Sequence, residues 1–216
     1  MTHALKLVLA ALALIVGLAA SEVRAQEPGT PQELDERVQQ FLDENRNQWH
    51  DANVPMADGQ LLHDLVLGNG YMAALEIGTS TGHSAIWIAR ALSKTGGKLI
   101  TIEIDEGRYQ QALENFEAAG LTDYIDARLA DAHELVLELE GPFDFVFLDA
   151  DKDWYARYFD AVFPKLEVGG CFTAHNVSGR RMGGINEFLE RLENTEDLDT
   201  EIVPASRSGM SVSYKR

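Results

Sequence analysis

Four short segments carry the side chains that could do chemistry. The first is Glu76-Ile77-Gly78-Thr79-Ser80-Thr81-Gly82-His83-Ser84, at the end of an apolar stretch. Its glycines let the chain turn sharply and let a ligand approach the backbone. The spacing is Gly-x-x-x-Gly with an acid two residues upstream. It is neither the Gly-x-Gly-x-x-Gly of dinucleotide binders nor a phosphate loop, whose lysine it lacks. Glu76 at that place suits a cationic ligand better than a pyrophosphate. The second is Glu103, which ends the next apolar stretch about 20 residues past the glycine loop, where a carboxylate can accept both hydroxyls of a ribose. Each feature alone also reads as structure: a bare turn, and a solvated strand edge. The third is Asp149-Ala150-Asp151-Lys152, three charged side chains that stop the apolar run 143–148. A fourth acidic or imidazole position follows at Ala174-His175-Asn176, after another apolar run.

These segments need strands and helices to hold them, and the patterning supplies both. Thr30-Pro31-Gln32-Glu33 reads as a helix start, with a capping threonine, proline in the first turn and glutamate three residues on. A second helix is expected from about Asp58 to Gly68-Asn69-Gly70. Strands are then expected at 73–77, 99–104, 125–129, 143–148 and 170–174. Helices at 84–93, 106–119, 132–139, 154–163 and 185–192 alternate with them. Two late strands, 201–203 and 210–214, close the chain around Ser208-Gly209. Alternating strands and helices give an α/β fold: a mainly parallel, Rossmann-like sheet covered on both faces, with an antiparallel C-terminal hairpin at one edge. In such sheets ligands bind beyond the carboxyl ends of the strands, where all of the segments above fall.

Composition bounds the rest. The chain has 216 residues, 45% of them hydrophobic, and 18 lysines and arginines against 35 aspartates and glutamates, for a net charge of −17. Such a surface repels phosphate backbones, so a nucleic-acid partner is not expected. One cysteine, Cys171, excludes an internal disulfide framework and a cysteine-rich zinc site. A dimer bridged through it stays open on paper, but its apolar setting points to burial. Residues 1–25 read as a secretory signal peptide: Lys6, the apolar run 7–20, and Val23-Arg24-Ala25 before a cut at Gln26. The run is short for a spanning helix of about 20 residues, and an uncleaved anchor is the alternative. The expected organisation is 1–25 signal peptide, 26–52 linker and helix, and 53–216 catalytic domain. The folded part is expected to be exported, periplasmic or secreted, with no stable membrane insertion after cleavage.

LEIGTSTGHSAIWIA, ITIEID and FVFLDADKDWY resemble the O-methyltransferases of the catechol and caffeoyl-CoA type, which use S-adenosylmethionine on a seven-stranded sheet. The likeness runs from about residue 53 to 216 and includes NVPMADGQLL, similar to the family segment that closes over the cofactor. It implies that Glu76, Gly78, Ser80, Gly82 and Ser84 surround the methionine moiety, with Val54 near its end. It further implies that Glu103 holds the ribose and that Asp131, Ala132 and His133 lie along the adenine. Asp149 would lie near the cofactor amino group and bind a divalent metal, magnesium or manganese, with the residues at 175 and 176. Lys152 would take the hydroxyl proton of a small catechol-like or phenolic acceptor. A free lysine holds its proton at neutral pH, so it needs burial or a neighbouring cation to do so.

The chain departs from the family at two places. His83 stands where tyrosine is common, facing cofactor or solvent. His175-Asn176 replaces aspartate-asparagine. Three readings of His175 stay open: a ligand for manganese, iron, cobalt or zinc rather than magnesium; a base in a metal-free site; or a site that has lost its chemistry. The last corresponds to an exported binding protein that keeps the fold and the nucleoside pocket. A nicotinamide oxidoreductase on the same sheet is disfavoured by the missing third glycine. Trp154 is open between flanking the acceptor and packing, Arg180 and Arg181 between an anionic acceptor and solvent. His50 and His63 read as surface or helix-face residues, and a homodimer as possible.

Overall fold

The computed structural model describes residues 30–49, 52–178 and 183–216. Residues 1–29, among them the expected signal peptide, and His50, Arg180 and Arg181 lie outside the described residues. The helices are α1 (Pro31–Glu44), α2 (Met56–Asn69), α3 (His83–Thr95), α4 (Glu106–Ala119), α5 (Ala132–Glu138), α6 (Tyr155–Val162) and α7 (Ile185–Glu193). The strands are β1 (Ala73–Ile77), β2 (Lys98–Glu103), β3 (Ile125–Leu129), β4 (Phe143–Leu148), β5 (Leu166–His175), β6 (Leu198–Val203) and β7 (Met210–Lys215).

They form one seven-stranded sheet in the order β3-β2-β1-β4-β5-β7-β6. The first five strands are parallel; β7 runs antiparallel to both β5 and β6. The expected C-terminal hairpin is present, with its second strand inserted inward and β6 at the edge. Strand order reverses between β1 and β4, which opens a crevice at their carboxyl ends. Gly78, Glu103, Asp149 and His175 all sit at that rim.

Side-chain alternation explains why β4 reads as an apolar run from Phe145 to Leu148, after Asp144. Phe145 and Phe147 point into a core built with Val38, Leu62, Ile86, Leu92 and Phe116. Val146 and Leu148 point into the opposite core with Leu75, Ile77, Tyr155, Phe159, Phe172 and Phe188. A strand covered on both faces has no polar side to show. β5 begins four residues earlier than its pattern suggests, because the pairing shifts register between Phe143 and Phe145 and admits the glycine-bearing stretch.

The helix predicted at Thr30 forms with a full capping box: Thr30 Oγ1 accepts from Glu33 N, and Glu33 accepts from Thr30 N. Val38 and Leu42 seat it in the core, and an ionic contact adds to that tie. Asp35 takes Arg90 through both oxygens at 2.8 and 3.1 Å and Lys94 at 2.7 Å. The Arg90 hydrogen bond, with Lys94, holds the Asp35 carboxyl well below the usual carboxylate range despite partial burial. Arg37 donates to the carbonyls of Glu117 and Ala118 at the end of α4. Cys171 is buried, and burial pushes its thiol up to about 12. Among the described residues no helix is long and apolar enough to cross a membrane.

Candidate active site

The glycine loop turns directly at the end of β1. Gly78 has φ +99°, and a Cβ there would lie 2.4 Å from the Asp149 carbonyl oxygen. Close approach of two chain segments, as well as the turn, therefore requires glycine. Ser80 is also left-handed, with φ +50°. Glu103 holds the loop from below: its Oε2 accepts from Ser80 N at 2.7 Å, and its Oε1 from Ile104 N at 3.1 Å and Asp105 N at 2.9 Å. One carboxylate thus orients two loops that face the same cavity.

That cavity is about 600 Å³, within the range of small-molecule sites. Of the residues singled out in the sequence, Gly78, Ser80, Glu103, Asp131, Ala132, His133, Asp149, Lys152, His175 and Asn176 line it. Val54, Glu76, Gly82 and Ser84 do not; they stand behind its wall. Gly82 caps α3 and lies against Phe116, where a Cβ would meet the ring at 2.5 Å. The Val54 carbonyl accepts a hydrogen bond from His83 Nδ1 at 2.8 Å. His83 Nε2 in turn accepts from Trp87 Nε1 at 3.1 Å, and its ring stacks on Trp49. This fully buried imidazole is neutral, pushed down to about 4 by burial. It faces neither cofactor nor solvent, and its work is to fasten the segment before α2. His63 is likewise more buried than its sequence suggested, packed against Trp87 beside Lys94.

Glu76 is wholly buried beneath the loop. Its Oε2 accepts from Thr101 Oγ1 at 2.5 Å, and Thr101 also bonds Thr79 Oγ1. Burial penalises the charged form and pushes this carboxyl from 4.5 up to about 8. The folded chain therefore keeps a proton that the unfolded chain sheds, and stability falls as pH rises from 4.5 to 8. Glu76→Gln should remove that slope and stabilise the ligand-free chain on the order of 3 kcal/mol at pH 7. Urea midpoints at pH 5 and pH 8 check it; an unchanged slope would mean that Glu76 is ionised where it lies.

Along one wall of the cavity, Asp131 caps α5 by accepting from His133 N at 2.9 Å. The His133 ring stacks on Trp154 at 3.7 Å, with Arg157 over the other side of that indole. Trp154 thus packs beside His133, outside the cavity lining. Ile104 and Tyr158 line the cavity and were not singled out in the sequence. Ile104 is 67% exposed, an apolar side chain left bare at the rim and apt to cover a planar ring.

The same cavity is also lined by an ion-paired cluster. Lys152 Nζ donates to Asp149 Oδ1 at 2.5 Å, to Tyr155 Oη at 2.8 Å and to the Ala150 carbonyl at 3.1 Å. His175 Nδ1 lies 3.0 Å from Asp149 Oδ2, and its Nε2 lies 2.8 Å from Asp58 Oδ2. Ser206 Oγ donates to the same Asp58 oxygen. Burial alone would lower the imidazole, but the Asp149 and Asp58 carboxylates outweigh it and push it up to about 9. Asp149 moves down: burial would raise it, and the bonds from His175 and Lys152 overcome that. Asp58 had read only as a helix start. It lies in the first turn of α2 with no exposed surface, 117 residues from its partner. Only the odd histidine at 175, in need of an acid, hinted at it.

This cluster bears on the divalent ion that the resemblance implies. A metal takes lone pairs, and a protonated imidazole bonded at both nitrogens offers none. Both Asp149 oxygens are engaged by His175 and Lys152. Asp149, His175 and Asn176 line the same cavity as expected, but Asp149 and His175 are closed by their own ion pairs. As placed, they do not fit a metal, and no step below runs through one.

The sequence profile of the O-methyltransferase family matches residues 27–184. The chain belongs to this family. A catechol O-methyltransferase from Niastella koreensis is 43% identical over 107 residues, 48% of each chain. Caffeoyl-CoA O-methyltransferase 1 from Zea mays is 31% identical over 163 residues, 73% of this chain and 60% of the relative. The chain spans roughly half the length of the curated relatives it matches. Among solved structures, an O-methyltransferase from Bacillus cereus in complex with SAH superposes with a TM-score of 0.71 at 27% identity, covering 91% of this chain and 94% of that one. One from Streptomyces achromogenes in complex with SAM gives 0.70 at 26% identity, covering 90% and 93%. The fold expected from the sequence is that of this family.

Proposed function

We propose that the chain transfers the methyl group of S-adenosylmethionine to the hydroxyl oxygen of a small phenolic acceptor. The observation that carries this reading is one cavity whose lining joins two unlike groups of residues. The glycine loop, Glu103 and the Asp131–His133 turn form one group, and Lys152 on Asp149 forms the other. The cofactor supplies a methyl group already activated on a sulfonium. The loop backbone around Gly78 and Ser80 holds the methionine moiety and the Glu103 carboxylate the ribose, and together they fix where that methyl points. Asp149, anionic in the folded chain, attracts the positive charge of the donor. Lys152 meets the acceptor hydroxyl: once its resting ammonium has given a proton to solvent, the amine takes the acceptor proton to Nζ. The ammonium that results is held by Asp149, Tyr155 and the Ala150 carbonyl, which is the arrangement seen. Alignment of oxygen, methyl and sulfur then turns a bimolecular step into a nearly unimolecular one. No covalent enzyme intermediate is needed.

The test is thermal melting with S-adenosylhomocysteine, followed by mass spectrometry of catechol and caffeoyl acceptors incubated with the donor. Ligand at about 100 times its dissociation constant adds roughly 2.7 kcal/mol, a rise of about 5–10 °C for a chain of this size. Methylated acceptor should then accumulate. No melting shift at millimolar nucleoside would overturn the reading.

A further inference from the structure

The charges around Asp149 already close without a metal. Asp58 and Asp149 contribute two negative charges; His175 and Lys152 face them with two positive ones. Carboxylates only accept hydrogen bonds, so an imidazole set between two of them must carry a proton on each nitrogen. The bridge is built in rather than adventitious. Its three side chains come from the first turn of α2, the end of β4 and the end of β5. His175 and Asp58 are almost wholly buried. Tyr155 ties the bridge down from beneath: its hydroxyl lies against Lys152 Nζ, Asp149 Oδ1 and the His175 carbonyl. Aspartate in place of His175 would leave three carboxylates and one lysine, a deficit of the charge a divalent ion supplies. Histidine removes the deficit by one substitution.

We infer that in this chain the Asp58–His175–Asp149 bridge takes the place of a divalent cation, and that its methyl transfer is metal-independent, with His175 positioning Asp149 and Asp149 positioning Lys152. The inference rests on the methyltransferase reading above. It narrows how the acceptor is held: by a single hydroxyl oxygen at Lys152, with no chelation of two neighbouring oxygens. His175 does not touch the acceptor; it is a positioning residue.

The test titrates the full-length chain, stripped with a chelator and dialysed, with manganese chloride and reads free Mn²⁺ by electron paramagnetic resonance. The same samples are melted with and without S-adenosylhomocysteine. The wild-type chain is expected to leave Mn²⁺ free at millimolar metal while keeping its full shift with the nucleoside. His175→Asp should gain one Mn²⁺ per chain and a metal-dependent rise in melting temperature. In chain labelled with ¹⁵N-histidine, one imidazole should show two slowly exchanging N–H protons, assigned by their loss in His175→Gln. Uptake of one equivalent of Mn²⁺ by the wild type, with the nucleoside shift intact, would overturn this inference and leave the methyltransferase reading standing. A folded His175→Asp chain that takes no Mn²⁺ would overturn it too. If that variant does not fold, the wild-type titration and the imidazole protons decide: a single protonated ring nitrogen overturns it. Absence of any nucleoside shift would sink both readings.

Discussion

Lys152→Met should lower kcat/KM for a phenolic acceptor by about 10²–10⁴-fold, the range for loss of a positioned general base. Nucleoside binding should be unchanged. The argument is geometric. Nζ lies in the cavity wall 2.5 Å from Asp149 Oδ1 and 2.8 Å from the Tyr155 hydroxyl. Methionine keeps most of the stem length and packing but has no site for a proton. Asp149 keeps its bond from His175, so no carboxylate is left without a partner. Lys152→Arg should not rescue, because guanidinium keeps its proton and cannot accept one. Steady-state rates with each variant, beside melting with S-adenosylhomocysteine, separate the outcomes. A loss below about tenfold would assign the proton to another group. An equal loss of nucleoside affinity would make Lys152 part of the cofactor wall.

Much of this site was legible because each feature sits where a strand ends. The apolar runs 73–77, 99–104 and 143–148 each stop in a glycine or an acid. Parallel order then gathers those stops at one rim. Glu103 could be placed for the same reason, and Thr30 because a capping box is a local pattern. What was hidden depends on contacts across the chain. Asp58 reaches His175 over 117 residues and Ser206 over 148; nothing periodic links such positions, and an acid near a helix start has an ordinary local explanation. His83 was misplaced because the segment before α2 folds back over the first turn of α3, bringing Trp49 and the Val54 carbonyl onto it. Glu76 shows a subtler gap. Strand alternation puts it on the face opposite Leu75 and Ile77, beneath α3 rather than in the crevice. An acid next to a ligand loop reads as a ligand contact until burial is known.

His175→Ala should destabilise the chain by about 3–5 kcal/mol, the cost of stripping one partner from a buried charge cluster. Asp58 has no exposed surface and Asp149 very little. Without the imidazole between them, each loses a hydrogen bond. Asp58 keeps only Ser206, and its Oδ1 already lacks a partner among the described residues. For a domain of this size the melting point should drop by about 10–15 °C. The pH dependence has a definite sign. The folded-state value is raised from 6.5 to about 9, so the His175 contribution is whole below pH 6.5 and is lost as pH rises through about 9. The wild-type chain should therefore weaken across that window, and the alanine variant should lack this part of the slope. Asp58→Asn in the alanine background should recover part of the loss, because a neutral amide costs less to leave with an incomplete set of partners than a carboxylate does. Denaturant midpoints of the three chains at pH 6 and pH 9.5 test the argument. A single variant as stable as the wild type at pH 6 would mean that the two acids are not held apart by a charge, and that His175 fills space only.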